Sequence, residues 1–298
     1  MPHPPTVPAR AQRVGRWLVY ACVAAYFACG LAYLALRHYV WPRLDDWRAQ
    51  LVEQVSVAVG RPVQIARIGS GFEGLLPRLT LEEITIADDD GRLALEVPHA
   101  VAVLSARTLA TGEPRLSVLQ LDSPRVRVER LPGGRALRVA GVEVPLDRPS
   151  DGSALDLLLG QRRILVRNAE IEWIDREHDA RRTFAGVDLR LGSVGRRHRG
   201  TLSLGPADDA WRGVALAFEF YRPPRSRVDD WRRWNGEVFA GADDLDWSAL
   251  AALWPQPLPG PLVAGRASLR GWLAFDQGRA QDAVVKLAAR DEIGRAHV

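Results

Sequence analysis

The sequence predicts a mainly β protein that is anchored in a membrane by a single N-terminal helix. Three observations lead to this fold class. Residues 17–36 form an uncharged apolar run, residues 44–59 carry apolar side chains at helical spacing, and from Val63 onward apolar and polar residues alternate with a period of two. No later stretch offers the long helices that crossovers between parallel strands require, so we expect an extended antiparallel β-sheet.

The predicted transmembrane helix is the run from Trp17 to Leu36. Its 20 residues reach about 30 Å at a rise of about 1.5 Å per residue, which is the thickness of a bilayer core. A cleaved signal peptide is the alternative, but the apolar run is too long and no A-x-A site follows it. Arginines and aromatic rings favour the headgroup level, so the expected interface anchors are Arg13, Arg16, Trp17, Tyr20, Tyr39 and Trp41.

The charges beside this helix indicate an orientation. Three arginines precede the run and three follow it, but residues 1–16 contain no acidic side chain, whereas Asp45 and Asp46 follow the helix. We therefore expect a cytoplasmic tail at residues 1–16 and an exported body. Both cysteines, Cys22 and Cys29, lie within the run, so the exported part contains no thiol that could report on its redox compartment.

Residues 44–59 are predicted to form a short amphipathic helix. Apolar residues recur at helical spacing from Leu44 to Val59, and Gly60 and Pro62 are typical of a helix end. Directly after a membrane anchor, such a helix could lie on the bilayer or cap the end of a sheet, and capping is the more common role.

The remainder of the chain reads as strands and turns. Asp88-Asp89-Asp90-Gly91 is expected to turn one strand back onto the next, and Pro132-Gly133-Gly134 ends another strand. A two-turn helix at Trp247–Trp254 and a proline-rich linker at Pro255–Pro261 interrupt the pattern. The stretches that are predicted as strands from their apolar pattern are residues 79–86, 92–97, 126–128, 170–173, 187–191, 214–221, 236–240, 269–275 and 284–288.

One predicted strand is apolar on both of its faces. Val214, Leu216, Phe218 and Phe220 form one face, and the intervening positions include two alanines. Such a strand either lies inside a β-sandwich or lines an apolar groove. The alternation alone leaves both possibilities open, with the sandwich the more common arrangement.

Charge and composition exclude several classes of protein. The chain has 298 residues, of which 40 are Lys or Arg and 36 are Asp or Glu, and the whole excess of +4 lies within residues 1–48. The remaining chain is neutral, so no basic nucleic-acid-binding face is expected. A hydrophobic content of 47% excludes an intrinsically disordered chain.

No motif points to catalysis, a metal or a cofactor. A G-x-G-x-x-G pattern occurs at Gly69, Gly71 and Gly74, but no helix pattern follows to hold a dinucleotide. The densest group of possible metal ligands, residues 170–179, alternates with arginines and is expected to form a solvated edge and turn. His99, His178 and His198 lack an evident partner, so we expect no enzyme.

Taken in order, these patterns resemble the YhdP family of AsmA-like bacterial envelope proteins. The motifs are the helix ending Gly60-Arg-Pro-Val, then Leu79-x-Leu-x-x-Ile-x-Ile, Pro124-x-Val-x-Val, Gly236-x-Val, Asp243-Asp-Leu-Asp-Trp247 and Gly271-Trp-Leu-Ala-Phe. Each motif is weak alone, and their order carries the resemblance, which runs from Trp17 to about residue 290. It corresponds to the N-terminal part of the family's much longer proteins.

The resemblance implies an inner-membrane protein with a long β-groove in the periplasm. Residues 61–291 would be the incomplete periplasmic part of a bridge that carries phospholipid acyl chains toward the outer membrane and supports its permeability barrier. The implied partners are phospholipids and the inner membrane, with other envelope proteins possible, and no cofactor is implied. The candidate groove residues are Val214, Leu216, Phe218, Phe220, Leu269, Leu273 and Phe275.

Two alternatives remain at this point. A membrane-anchored scaffold could bind another envelope protein through an open strand edge without carrying lipid. A weaker alternative is an anchored hydrolase built around His178. The sequence discriminates among these only through the apolar pattern, because lipid transport needs a continuous apolar surface rather than particular reactive residues.

The last residues suggest a sequence that does not come from the gene. Glu292-Ile-Gly-Arg-Ala-His-Val298 is what a common short-read sequencing adapter encodes in one frame. We therefore expect residues 293–298 to be an artefact and the reading frame to continue beyond about Asp291. The alternative is a natural end after the predicted strand at residues 284–288.

Overall fold

The structure is a computed structural model, and it divides into two units, Met1–Arg48 and Ala49–Val298. Each unit is described by itself. The residues described are 9–35, 38, 48–111, 115–134, 136–145, 160–204, 213–224, 233–246 and 262–294.

The N-terminal unit contains one long helix, α1 (Ala9–Ala35). Within it, Gly15–Ala35 is 21 residues long with a mean hydropathy of 1.9. Among the described residues, this is the one helix whose length and composition allow it to cross a membrane. The predicted helix at residues 17–36 therefore lies within α1, except for Leu36, which is outside the described residues.

The second helix, α2 (Arg48–Val59), covers one end of the sheet. Val52 packs against a cluster of buried side chains formed by Val63, Ile65, Ile68 and Ile86. The hydroxyl of Ser56 donates a hydrogen bond to the Val52 carbonyl oxygen at 2.7 Å and accepts one from the Val63 N–H at 3.0 Å. These contacts agree with the capping role for residues 48–59, and residues 44–47 lie outside the described residues.

Within the described residues, fourteen strands form a single sheet, and a short helix, α3 (Ala106–Thr111), follows the third strand. In chain order the strands are β1 (Val63–Glu73), β2 (Leu76–Ala87), β3 (Leu93–Leu104), β4 (Leu116–Asp122), β5 (Arg125–Arg130), β6 (Ala136–Val139), β7 (Val142–Pro145), β8 (Arg163–Asp175), β9 (Ala180–Val194), β10 (Arg197–Leu204), β11 (Ala215–Tyr221), β12 (Asn235–Asp246), β13 (Leu262–Asp276) and β14 (Arg279–Gly294). The predicted helix at residues 247–254 and linker at 255–261 lie outside the described residues.

Neighbours in the chain are neighbours in the sheet for most of these strands. Strands β1 to β4 pair in succession, as do β8 to β14, and all of these pairings are antiparallel. The prediction of a mainly β fold with a large antiparallel sheet is confirmed. Because all the described strands belong to one hydrogen-bonded sheet, the sandwich interpretation of residues 214–221 finds no second sheet within the described part of the chain.

The sheet departs from the antiparallel expectation at one place, where β8 pairs in parallel with both β4 and β5. We call this pairing the parallel junction. Residues 119–122 of β4 and all residues of β5 lie opposite the residue 45 positions later in β8. This offset is the same before and after Ser123 and Pro124, so β4 and β5 act as one strand interrupted at Pro124, with β3 on one side and β8 on the other.

A line of irregular backbone crosses the strands next to this interruption. Glu83, Ser123 and Asn168 all have positive φ, at 53°, 50° and 50°. Pro98 in β3 faces Glu83, where the ladder between β2 and β3 skips one pair. A proline can occupy an interior strand here because its missing N–H falls at an interruption of the ladder. The Asn168 side-chain amide donates to the Ser123 hydroxyl at 3.2 Å, which links the irregular residues of two adjacent strands.

The sheet has one apolar face and one charged face. Cross-strand partners point to the same side, so the row Leu191, Gly200, Phe218 and Val238 defines the apolar face from β9 to β12. The alternate residues, such as Glu219, define the charged face. The period-two patterns predicted from the sequence therefore correspond to a shared side of the sheet.

A glycine on the apolar face makes a testable packing prediction. A Cβ atom added at Gly200 would overlap the Phe218 ring and come within 2.8 Å of the Leu191 Cδ2 atom, whereas one added at Gly271 meets nothing closer than the Val284 carbonyl oxygen at 4.0 Å. We expect Gly200→Ala to lower the free energy of unfolding by about 1–3 kcal/mol because the ring must move. Gly271→Ala is the matched control and should be neutral. Urea denaturation of both variants checks this, and equal stabilities would contradict the packing described.

Candidate functional site

The seven candidate groove residues all lie on the apolar face. Phe218 and Leu273 occupy one cross-strand row through Val238, and Phe220 and Phe275 occupy the next row through Gly236. The rings pack directly: Phe218 stacks on Phe220 with centroids 4.9 Å apart, and Phe220 contacts Phe275 at 5.4 Å.

The other candidates occupy a more enclosed end of the same face. Val214 and Leu269 pack against the buried pair Ala242 and Leu245. Leu216 lies opposite Ala240 in the row between this cluster and Phe218. The structure thus brings all seven candidates to one surface and divides them between a packed end and a more open end, where Leu273 is 38% exposed.

The apolar face extends far beyond these seven residues. Two adjacent rows each cross ten strands, β2, β3, β4 and β8 to β14, without one polar or charged side chain. The first row is Leu79, Ala102, Leu119, Ile164, Leu191, Gly200, Phe218, Val238, Leu273 and Ala283. The second row is Leu81, Ala100, Leu121, Val166, Leu189, Leu202, Leu216, Ala240, Gly271 and Val285.

These rows form a long apolar strip that becomes more open toward β14. Nine strand spacings of about 4.8 Å give the strip a length of about 43 Å. Ile164 near its middle is only 3% exposed, whereas Leu273 is 38% and Val285 is 67% exposed. Exposed contiguous apolar surface of this kind marks a place where another apolar body binds.

A cavity of about 1070 Å³ lies on the charged face, opposite part of the apolar strip. Most of its side chains come from two rows that cross β8 to β14, and Arg167, Asn168 and Asp188 line it beside these rows. One row is Arg163, Gly192, Arg199, Glu219, Glu237, Ala274 and Asp282, and the other is Leu165, Arg190, Thr201, Ala217, Phe239, Trp272 and Val284. Of the seven candidates, this cavity touches Phe218 and Leu273.

The charges in this cavity are separated along the first row. Arginines stand at the β8 and β10 positions, and carboxylates stand from β11 onward. The Glu219 carboxylate accepts a 2.7 Å hydrogen bond from Arg197, which lowers the pKa of Glu219. In the second row, the Phe239 and Trp272 rings pack with centroids 5.0 Å apart. The β8–β10 end of the cavity is therefore predominantly cationic, with Asp188 as a lining carboxylate, and the other end is aromatic and anionic.

A buried histidine lies at the rim of the apolar face. His198 is 4% exposed and stacks on Trp234, with ring centroids 5.3 Å apart. Its Nδ1 atom lies 2.9 Å from the Ser193 hydroxyl. Burial lowers the pKa of His198, and the nearby Arg222 lowers it further. The sequence alone did not reveal this partner, because Ser193 reaches His198 only across the β9–β10 turn.

The acidic group at residues 170–179 forms ion pairs rather than a metal site. Among the described residues, no group of three or more His, Cys, Asp or Glu side chains could hold a metal ion. Instead, Arg127 donates to Glu172 at 2.9 Å, and Arg130 pairs with Asp175 at 3.3 Å. The turn at residues 176–179 is exposed, as expected, but the expectation of a solvated edge is wrong, because β8 lies inside the sheet between β5 and β9 and Asp175 is only 5% exposed.

Two further histidines have carboxylate partners that the sequence analysis missed. His178 Nδ1 lies 3.0 Å from Asp175, three residues earlier in the same turn, and His99 Nδ1 lies 3.1 Å from Asp122 on the neighbouring strand. Burial raises the pKa of Asp175, but hydrogen bonds from His178 and from two backbone N–H groups outweigh this effect and lower it overall. The three-residue spacing in the turn was the signal that could have identified the first pair.

The glycine motif and the predicted anchors are also placed by the structure. Gly69 and Gly71 lie in β1 and Gly74 in the turn to β2, so the G-x-G-x-x-G pattern belongs to a β-hairpin. Trp17 and Tyr20 are exposed on α1, with their rings in edge contact at 6.4 Å. Arg13 and Arg16 belong to the same helix. The other two anchors, Tyr39 and Trp41, lie outside the described residues.

The buried histidine predicts a pH dependence of stability. A folded-state pKa below the ordinary value of about 6.5 means that the unfolded chain binds the proton more readily. We expect the free energy of unfolding to fall between pH 7 and pH 5, by at most about 1.4 kcal/mol per pH unit for this one group. Urea denaturation across this range should give a flatter profile for His198→Gln. His38→Gln, which changes an exposed histidine of the N-terminal unit, is the control, and a slope unchanged in His198→Gln would refute the assignment.

Comparison with known proteins places the chain in a family. A family model described as YhdP protein matches residues 7–292, which is nearly the whole chain. No curated protein and no solved structure gives a match. The matched residues include α1, α2, the parallel junction and both apolar rows. The chain therefore belongs to the YhdP family.

Proposed function

We propose that this protein carries phospholipid acyl chains along its apolar face, as the membrane-anchored N-terminal part of a bridge between the inner and outer membranes. The observation that carries the proposal is the pair of rows that cross ten strands without a polar side chain. The role would be to move lipid to the outer membrane and so maintain its composition and permeability barrier. The membership of the YhdP family supports an envelope role.

The physical basis is the cost of exposing an acyl chain to water. Each CH₂ group moved from an apolar surface into water costs about 0.8 kcal/mol, so a lipid can leave a bilayer readily only if another apolar surface replaces it. An uninterrupted strip offers the same environment at each strand. Movement along it then exchanges one apolar contact for another, and no catalytic residue or cofactor is needed.

The anchor fits this function. The apolar part of α1 is long enough to cross the inner membrane, and the acid-free tail before it favours a cytoplasmic N-terminus with the sheet in the periplasm. The protein would be single-pass. Its tether would keep the sheet at the membrane from which the lipid departs.

A scaffold that binds another envelope protein is the second candidate, and the exposure of the apolar strip at β13 and β14 favours it. Leu273 is 38% exposed and Val285 is 67% exposed. An exposed apolar surface of this kind can also bind apolar side chains of a partner protein. The two candidates differ in what touches Phe218: a lipid in the first, protein side chains in the second.

Site-specific photo-crosslinking tests the proposal. We expect a photoreactive benzoylphenylalanine at Phe218, in the membrane-anchored chain produced in a Gram-negative host, to form phospholipid adducts after irradiation, because this ring lies on the apolar strip. The matched control is Tyr221, an aromatic residue of the same strand whose side chain lies on the charged face. Mass spectrometry of the purified protein measures the adducts.

The two positions should differ by roughly tenfold or more in lipid adducts, since burial of even two CH₂ groups corresponds to about that ratio. Equal labelling at both positions would indicate capture from the bulk membrane and would refute the lipid path. Adducts at Phe218 that contain only protein would instead support the scaffold.

A further inference from the structure

The cationic end of the charged-face cavity holds three arginines close together. Arg163 in β8 and Arg199 in β10 both lie directly opposite Gly192 in β9, one on each side of it. Arg190 lies two residues before Gly192 on the same strand and face. Neighbouring strands lie about 4.8 Å apart, so the Cα atoms of Arg163 and Arg199 are about 10 Å apart with Gly192 between them, and that of Arg190 is about 7 Å from Gly192 along β9. These separations are within the reach of long arginine side chains.

Gly192 leaves a notch at the centre of this group. A side chain at this position would stand between the two flanking arginines, but glycine has none. The Arg199 side chain lies beside the opening, with its Cγ and Nε atoms 3.9 Å from where a Cβ atom of residue 192 would be. The notch is part of the 1070 Å³ cavity, whose size is that of a small-molecule site.

Within the described residues, none of the three guanidinium groups forms an ion pair, although arginines elsewhere on the sheet are commonly paired. Two carboxylates lie close by. Glu219 lies opposite Arg199 but is hydrogen-bonded to Arg197 at 2.7 Å, and Asp188 lies two residues before Arg190 and accepts a hydrogen bond from the Asn168 N–H at 2.9 Å. The arginines therefore outnumber the carboxylates at this end of the cavity, and like charges at neighbouring positions on one face of a sheet repel each other.

We propose that Arg163, Arg190 and Arg199 form a binding site for a phosphate group around Gly192. The planar guanidinium groups can donate pairs of hydrogen bonds to phosphate oxygens, and three of them can surround a tetrahedral anion from different sides. The phosphate would neutralise the cluster and fill the notch. The remainder of its ligand would extend along the cavity toward Phe239 and Trp272.

The phosphate can belong to a lipid headgroup or to a small soluble molecule, since both present the same oxygens. The site lies on the face opposite the apolar strip, so the proposal of a phosphate site does not depend on the proposed acyl-chain path. If a lipid headgroup binds here, the charged face takes part in lipid recognition at a second location. If only free phosphate binds, the site senses or stores a soluble anion.

Binding measurements on the full chain in an uncharged detergent test this proposal. The soluble arm titrates inorganic phosphate against chloride at equal ionic strength. The lipid arm compares dihexanoyl phosphatidic acid with dihexanoylglycerol, which has the same acyl chains but no phosphate. Isothermal calorimetry reports the affinity, and the wild-type chain should bind a phosphate-bearing probe in at least one arm.

The variant that tests the site replaces Arg163, Arg190 and Arg199 with glutamine. We expect it to bind the phosphate-bearing probe at least roughly tenfold more weakly, because charge-assisted hydrogen bonds are lost. Arg270→Gln is the control, since Arg270 is an exposed arginine of the charged face that lies 3.7 Å from Asp243 and outside the cavity. It should leave the affinity unchanged.

Each outcome decides the proposal. Phosphate binding that the triple variant loses supports a soluble ligand, and selective binding of the phosphatidic acid that it loses supports a lipid headgroup. No binding in either arm would overturn the site, as would an equal loss in Arg270→Gln, which would indicate attraction to net charge alone. Because the triple variant could fail to fold, single Arg190→Gln is measured as well, with an expected loss of roughly two- to fivefold.

Discussion

Cross-strand register is the constraint on which the rest of this structure depends. Side chains alternate between the two faces of a strand, so a slip of one residue in any pairing would move every apolar side chain of that strand to the charged face. Two rows nevertheless cross ten strands without a polar residue. The short turns of the β8–β9, β9–β10 and β13–β14 hairpins hold this register locally, because each of these strands is followed within a few residues by its antiparallel partner.

The parallel junction is where the register cannot be held by a turn. Its strands are 45 residues apart, and parallel pairs are slightly weaker per residue than antiparallel ones. Ion pairs cross the junction from Arg127 to Glu172 and from Arg130 to Asp175. Glu129, which is 3% exposed, pairs with Arg176 at 3.0 Å as well. The acidic residues that looked like possible metal ligands in the sequence thus pair with arginines that hold β5 and β8 together.

Much of the fold followed from local patterns, and the remainder depended on pairing between distant segments. Alternation around Phe218 predicted both a strand and the face that the ring occupies, and Asp88–Gly91 predicted a turn that the structure contains. The partner of β8 was not predictable, since nothing in residues 163–175 encodes which distant strand they meet. The same holds for Gly192, whose role beside Arg163 and Arg199 appears only when three strands are aligned. Local periodicity predicts which face of the sheet a side chain occupies. Its neighbours on adjacent strands can be identified only when the register of those strands is known.

The parallel junction also has a consequence for how the chain folds. Hairpins such as β9–β10 can close as soon as their residues are available, since the loop between their strands is short. The edge formed by β4 and β5 must wait for β8, and until then its backbone N–H and C=O groups are open to other strands. During synthesis, β1 to β5 leave the ribosome before β8, so the chain passes through a stage with an unpaired interior edge. If β8 pairs slowly or incompletely with β4 and β5, another strand can pair with this edge instead. Factors that protect nascent strands would act at this step.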